Sequence, residues 1–359
     1  MERRGRSFEQ ATTGCEKTLV VHLAKGTGID NYMDAMPSAW KQIRHRIEWL
    51  ALKAAAVTIP VFGRNALPFL GCALGSAAYA LDSRSRRDAL DNLKAAFPEI
   101  TDERKRKRIA RRSLQAFAQA QLDAFWTPRL DADNYLEFVS FEFESPDIEE
   151  RAREKGAIWV TPHYGNFEWI SLVFGFRGFP FKVIAQPFKN PLLDPIFTSH
   201  REHSGHEVIP QKGAALKLFR HLKSGGHAAF LIDLSQAPDQ AATIVQCHGL
   251  YTSVTKTHAE LAARTGLPLI PTICVPREDG GYCMRIFDPI EDVAERPPRE
   301  VAQECWDRIE PHIAADPAPW LWAYKHWRYL PKDELRATRP YPSYANPSKK
   351  FDKLADEVL

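Results

Sequence analysis

A chain of 359 residues with 44% hydrophobic and 26% charged side chains can bury one large or two ordinary cores, which excludes disorder for most of its length. The formal net charge of +3 is too small to argue for nucleic acid, and no apolar run reaches the roughly 18 uncharged residues of a conventional transmembrane helix. Six cysteines (Cys15, Cys72, Cys247, Cys274, Cys283 and Cys305) lie scattered without a C-x-x-C pair, which fits free thiols in a reducing compartment and offers no zinc-site spacing.

Residues 1 to 35 are polar and aperiodic and resemble neither a signal peptide nor a transit helix. They read as a disordered extension, with Met33 or Met36 as the expected natural start. Residues 36 to 130 carry helical patterns almost throughout. The most apolar part, "LALKAAAVTIPVFGRNALPFLGCALGSAAYAL" (50 to 81), is interrupted by Lys53, Pro60, Arg64 and Pro68 and flanked by "KQIRHR" and "RSRR". Length argues against spanning a bilayer, while flanking charge favours helices lying on or dipping into a membrane surface; an amphipathic pair of core helices is the alternative. Two further helices follow, "SRRDALDNLKAAFPEI" and "TDERKRKRIARRSLQAFAQAQLDAFW", the second expected to be capped by Thr101. Its "RKRKR" cluster (104 to 108), with Arg111 and Arg112, reads as a solvated face that could meet anionic lipid heads or an acidic carrier protein.

From 131 to 330 the pattern changes to short β-like runs: "AIWVT", "FKVIAQ", "HEVIP", "HAAFLID", "TIVQ", "PLIPTICV" and "YCMRIFD". They alternate with helical stretches such as "NPLLDPIFTSHREHSG", "GAALKLFRHLKSG" and "TKTHAELAARTG". That alternation predicts an α/β fold with a mostly parallel central sheet covered by helices, preceded by the helical membrane-associating region. The proline- and charge-rich tail, 331 to 359, is expected to wrap the surface.

Within this frame "TPHYGNFEWI" (161 to 170) reads as strand, turn and helix start. Gly165 supplies the turn, Asn166 the N-cap, and Glu168 falls in the first helical turn, where the helix dipole favours a carboxylate. His163 then sits at the carboxyl end of a strand, where open α/β sheets commonly carry chemistry. A lone histidine there is usually structural. If Glu168 folds back onto one ring nitrogen, however, the other can take a proton from a hydroxyl, and no serine or cysteine nucleophile is needed. G-x-S-x-G, H-E-x-x-H, a P-loop and G-x-G-x-x-G are all absent.

Other features carry less. Phe167, Trp169, Phe174, Phe176, Phe179, Phe181 and Phe188 could line an acyl-chain groove but are more often core. His200, His203 and His206 lack a completing carboxylate or cysteine, so no metal and no cofactor is expected. Trp320, Trp322 and Trp327 are expected to pack the end of the chain rather than touch substrate.

His163 and Glu168 make an H-x4-E pair, and an ordered series follows it: "PFKNP" (187 to 191), "REHSGHEVIP" (201 to 210), "LKSGGHAAFLID" (222 to 233), "AELAARTGLPLIPTIC" and "WLWAYKHWR" (320 to 328), with "NLKAAFPE" (92 to 99) preceding it. Over roughly residues 40 to 330 the chain resembles the lipid A biosynthesis lauroyl/myristoyl acyltransferase family, a branch of the H-x4-E/D glycerolipid acyltransferases. The resemblance implies a glycerolipid acyltransferase-like fold at the cytoplasmic face of a bacterial inner membrane. It further implies transfer of a fatty acyl chain from acyl carrier protein, or acyl-CoA, to a hydroxyl of a lipid A precursor or related glycolipid. His163 and Glu168 would be catalytic, with Asn166, Gln186, Lys189, Asn190, Arg201 and Asp233 around the substrates; Arg201 would hold phosphate and Asp233 would organise the site. A phosphatidylinositol mannoside or an amino-acid lipid is the alternative acceptor, and a catalytically silent lipid-binding relative the alternative class. The chain departs from the family pattern where Gln186 stands for an arginine, Leu234 follows Asp233, and Cys247–His248 replaces an aromatic pair. These departures lead us to expect an acceptor head group less charged than the bis-phosphorylated lipid A precursor, unless Arg201, Lys189 or Lys212 takes over the phosphate.

Overall fold

The computed structural model describes residues 38–359, apart from 186, 187, 189, 211–213, 240, 337 and 338. The aperiodic extension, both candidate start methionines, Gln186, Lys189 and Lys212 therefore lie outside the described residues. A seven-stranded sheet forms the centre, in the order β1 (Val139–Phe143), β9 (Tyr282–Ile286), β8 (Leu269–Pro276), β2 (Ala157–Thr161), β5 (His227–Leu231), β3 (Phe181–Ala185) and β4 (Glu207–Pro210). Every neighbouring pair is parallel except β8 with β9. The central strand β2 is apolar at nearly every position because both its faces are covered. Ile158 and Val160 enter one core with helices α9 (Ala214–Lys223), α10 (Thr257–Thr265) and α11 (Pro298–Ala315). Ala157 and Trp159 enter the other, with α4 (Glu103–Trp126) and α7 (Phe167–Phe176).

The expected strands are all present; a two-residue pair, Tyr329–Leu330 with Asn346–Pro347, and two longer strands that hydrophobic patterning misses are added. One is the edge strand β1, whose "VSFEF" leads out of a one-turn helix, α5 (Tyr135–Phe138). The other is β7 (Leu250–Thr255), which pairs antiparallel with β6 (Ala242–Cys247) as a hairpin outside the main sheet. Its two-residue turn, His248 and Gly249, takes φ of 49° and 73°, the left-handed pair a type I′ turn requires.

Before the sheet come α1 (Ser38–Thr58), α2 (Leu67–Leu81) and α3 (Ser83–Ala96). Asp82 caps α3 by accepting from the amides of Arg84 and Ser85, both at 3.0 Å. Asp102, not Thr101, caps α4, its carboxylate accepting from Arg104 N at 2.9 Å. Two glycines four apart let α2 lie against α4: a Cβ on Gly71 or Gly75 would come within 2.9 Å of Gln119 Cα or 2.3 Å of Gln115 Cα. Arg64, which interrupts the apolar run in the sequence, is buried rather than offered to lipid. Its guanidinium holds Asp123 on α4 at 2.9 Å and 3.2 Å and donates to the carbonyl of Gly280 at 2.6 Å.

The tail does more than wrap the surface. Helix α12 (Lys349–Val358) buries Phe351 against Ile244 of the hairpin, with its ring stacked on Tyr329. Two short helices complete the sheet layer, α6 (Ile148–Lys155) before β2 and α8 (Asp194–Glu202) before β4.

Candidate active site

The turn after β2 is built by three successive constraints. Gly165 takes φ of 58°, and a Cβ there would lie 2.0 Å from the carbonyl oxygen of Cys274 on β8, so only glycine passes. Its amide donates to Pro319 O at 3.1 Å. Asn166 then caps α7, Oδ1 accepting from Trp169 N at 3.2 Å, while its Nδ2 donates to Asp123 Oδ2 at 3.1 Å. Tyr282 Oη donates to the same Asp123 oxygen at 2.5 Å. Burial pushes the Asp123 carboxyl up to about 6 against the pull of Arg64. This buried cluster of Arg64, Asp123, Tyr282 and Asn166 fixes where the helix starts.

His163 is buried two residues past the end of β2, and Asp233 is buried two residues past the end of β5. Thr161 pairs with Leu231 in parallel register, so continuing both strands by two residues brings His163 and Asp233 face to face. Nδ1 of His163 lies 2.6 Å from Asp233 Oδ1, and the His163 amide donates to Oδ2 at 2.9 Å. Trp320 Nε1 donates to that second oxygen, also at 2.9 Å. Burial opposes ionisation of Asp233, but the histidine's charge and hydrogen bonds hold the carboxyl below its ordinary value. Since an ionised carboxylate only accepts, Nδ1 carries the proton and Nε2 is the basic nitrogen of this tautomer.

The carboxylate on the imidazole is thus Asp233, where sequence spacing suggested Glu168. Parallel register decides this: the neighbouring strand presents its acid directly opposite the ring, whereas Glu168 sits in the first turn of α7 and pairs with Arg201 Nη2 of α8 at 3.5 Å, both partly exposed. Asn190 is buried and holds the chain itself: Nδ2 donates to His45 O at 2.8 Å and Glu48 Oε2 at 3.0 Å on α1, and Oδ1 accepts from Leu192 N at 3.2 Å. These contacts tie the segment before α8 to α1.

The remaining motif residues have structural uses. Asn92 donates to the carbonyls of Trp322 and Tyr324 at 2.7 and 2.6 Å, so "NLKAAFPE" clamps the segment that carries Trp320. The three tryptophans are fully buried as expected, but Trp320 also orients Asp233. Trp169, Phe174, Phe179 and Phe181 belong to the core under the sheet. His203 Nε2 faces Leu130 O at 2.8 Å, and His206 Nδ1 accepts from Phe181 N at 2.8 Å with its other nitrogen 2.6 Å from Ser171 O. Sequence reasoning passes over Asp123, whose one signal is a single acid in the apolar stretch "AQLDAFW".

Residues 36–329 match the family model for bacterial lipid A biosynthesis acyltransferases. The chain belongs to that family. It is accordingly an acyltransferase. A phosphatidylinositol mannoside acyltransferase of Mycolicibacterium smegmatis is 28% identical over 238 residues, covering 64% of this chain and 75% of that relative. The protein of the same name from Mycobacterium tuberculosis H37Rv is 29% identical over 174 residues, 48% of this chain and 54% of its own length. The lipid A biosynthesis lauroyltransferase of Escherichia coli K12 is 24% identical over 304 residues, 80% of this chain and 94% of the relative. For this lipid A acyltransferase family member, then, the matched span contains both His163 and Asp233 together with the Glu168–Arg201 pair.

Proposed function

We propose that this chain is a membrane-associated O-acyltransferase that moves a fatty acyl group from a carrier thioester, acyl carrier protein before acyl-CoA, to a hydroxyl of a glycolipid at the cytoplasmic face of the inner membrane. The observation that carries the reading is the His163–Asp233 contact at 2.6 Å at the carboxyl end of the central strand. With Nδ1 committed to Asp233, Nε2 takes the proton of the acceptor hydroxyl. The alkoxide oxygen then attacks the thioester carbonyl carbon. The new C–O bond forms, the C–S bond breaks, and the proton on the imidazole passes to the departing thiolate, giving ester and free thiol. Trp169 N is already bound by the Asn166 cap, so the amides of Phe167 and Glu168 at the electropositive start of α7 are the donors offered for the oxyanion. Arg201, held by Glu168, supplies the positive charge for a phosphate of donor or acceptor.

Membrane contact rests on a separate feature. Ten of the fourteen exposed large hydrophobic side chains among the described residues lie between Trp40 and Leu81, including Val61, Phe69 and Leu81 at 76%, 78% and 84% exposure. No single described helix is long and apolar enough to cross a membrane, and the stretches Trp40–Val61 and Arg64–Leu81 meet at 118°. A bent corner of this kind suits shallow insertion.

Two groups of acceptor are in play, because relatives named for lipid A and for phosphatidylinositol mannoside are both similar to this chain. Gln186 in place of an arginine favours a head group with less charge at that point. The test is incubation of the purified protein with labelled acyl carrier protein and a panel of lipid A precursors, dephosphorylated precursors and phosphatidylinositol mannosides, with mass spectrometry of the products. Ester formation on a glycolipid supports the reading, and Gln186→Arg should raise use of the phosphorylated acceptor. Thioester hydrolysis with no acylated lipid from any of them would sink it.

A further inference from the structure

Behind the wall that holds Asp233 lies a second cluster of chemistry-bearing side chains. Cys247 ends β6, His248 opens the hairpin turn, and Glu310 faces them from α11. Consecutive residues of a strand point to opposite faces, yet the left-handed conformation of His248, φ of 49°, turns its ring to the side of Cys247. One ligand atom from each of the three residues lies within 4.8 Å of the other two. Cys247 and His248 are buried, and Nε2 of His248 is buried with no hydrogen-bond partner among the described residues. Glu310 is fixed in place, because its Oε2 accepts from the His248 amide at 2.6 Å. An imidazole nitrogen without a partner in the interior is costly. A hydrogen-bonded network would have satisfied it, and none of the described residues does so.

We propose that Cys247, His248 and Glu310 form a binding site for one divalent transition-metal ion of the zinc type. The donor set decides the class: thiolate and imidazole select a borderline cation over magnesium or calcium. Thiolate and carboxylate together carry two negative charges, which match the charge of the ion and outweigh Arg339, whose guanidinium donates to the His248 carbonyl nearby. Donor atoms about 2.0–2.3 Å from a common centre lie closer together than the present spacing of up to 4.8 Å, so binding draws the three side chains inward. Binding releases the thiol proton to solvent and forms the S–metal bond, with no change of oxidation state. The role is that of a staple. It would tie the hairpin to α11 directly beneath the aromatic wall, since the His248 ring packs 5.5 Å from the Trp320 ring whose Nε1 holds Asp233.

The test uses Co2+ and Zn2+ with the full chain in detergent, after dialysis against chelator. The wild type should take up one Co2+ per chain, with a thiolate-to-metal charge-transfer band, and Zn2+ should displace it. Cys247→Ser should abolish that band and weaken metal binding at least about 100-fold, more than the loss of an outer partner does. Glu310→Gln should weaken binding and keep the band, while Cys72→Ser should change neither. Should Cys247→Ser fail to fold, His248→Asn, which tolerates the left-handed turn, tests the site in its place and should likewise weaken binding. A wild type with no band at stoichiometric Co2+, or a band that survives Cys247→Ser or accompanies full-affinity binding in His248→Asn, would overturn the site.

Discussion

At the carboxyl end of β2 the informative side chains are polar and buried, whereas along the corner of α1 and α2 they are apolar and exposed. Each arrangement is costly in isolation, and each is informative for that reason. A buried carboxylate such as Asp233 persists because an amide, an imidazole and an indole surround it. An exposed Phe69 or Leu81 is covered by none of the described residues to an extent that would offset its contact with water. The first region therefore points to chemistry and the second to a surface from outside. Asp123 joins them: it receives Arg64 from the link between α1 and α2, and Asn166 from the start of the helix that follows His163.

The comparison breaks most sharply at the histidine. His163→Ala is expected to lower acyl transfer by at least about 10⁴-fold with the fold intact, as loss of a base held by a carboxylate does. Circular dichroism and product mass spectrometry together check this, and near-normal turnover in a folded variant contradicts it. Asp123→Ala removes the bridge between the regions and strands Arg64 in the interior. It should destabilise the protein by about 3–5 kcal/mol, read as a lower denaturant midpoint. An unchanged midpoint would mean that the two regions do not depend on each other. Glu168→Gln keeps the shape of the first turn of α7 and loses the charge opposite Arg201; a drop of about tenfold in kcat/KM, carried by KM, is expected, with the His163–Asp233 contact retained. The smallest effect on chemistry belongs to the corner. Replacing Phe69 and Leu74 by serine should shift the protein from sedimented membranes to the soluble fraction while leaving turnover on detergent-dispersed acceptor within about threefold. Release of the wild type by ~1 M salt, where the Debye length is about 3 Å, would show that attachment is ionic instead.

How far the sequence anticipates each region follows from the range of the interactions involved. Strand β2, its turn at Gly165, the Asn166 cap and the extent of α7 are local, and periodicity with capping chemistry places them. The alternation of strands and helices likewise predicts the parallel sheet. What spacing cannot reveal is register between strands distant in sequence. Asp233 meets His163 across 70 positions, so a carboxylate five residues away looks the better partner in one dimension. Arg64 shows the same limit from the other side: along the chain a charge in an apolar run resembles a lipid-facing anchor, and only packing brings Asp123 and Gly280 to it. Strand β1 does carry a signal, the strict alternation of "VSFEF", but it runs on directly from the one-turn helix α5 with no turn residue to separate the two.

The central claim is that the imidazole of His163 acts as a base because Asp233 holds Nδ1. Asp233→Asn tests it most directly, since the amide keeps the size of the side chain and an acceptor oxygen but loses the charge that sets the tautomer. Acyl transfer from labelled acyl carrier protein to the preferred glycolipid should fall by about 10⁴-fold in a variant that unfolds at the wild-type denaturant concentration. Turnover within about tenfold of wild type would contradict the account.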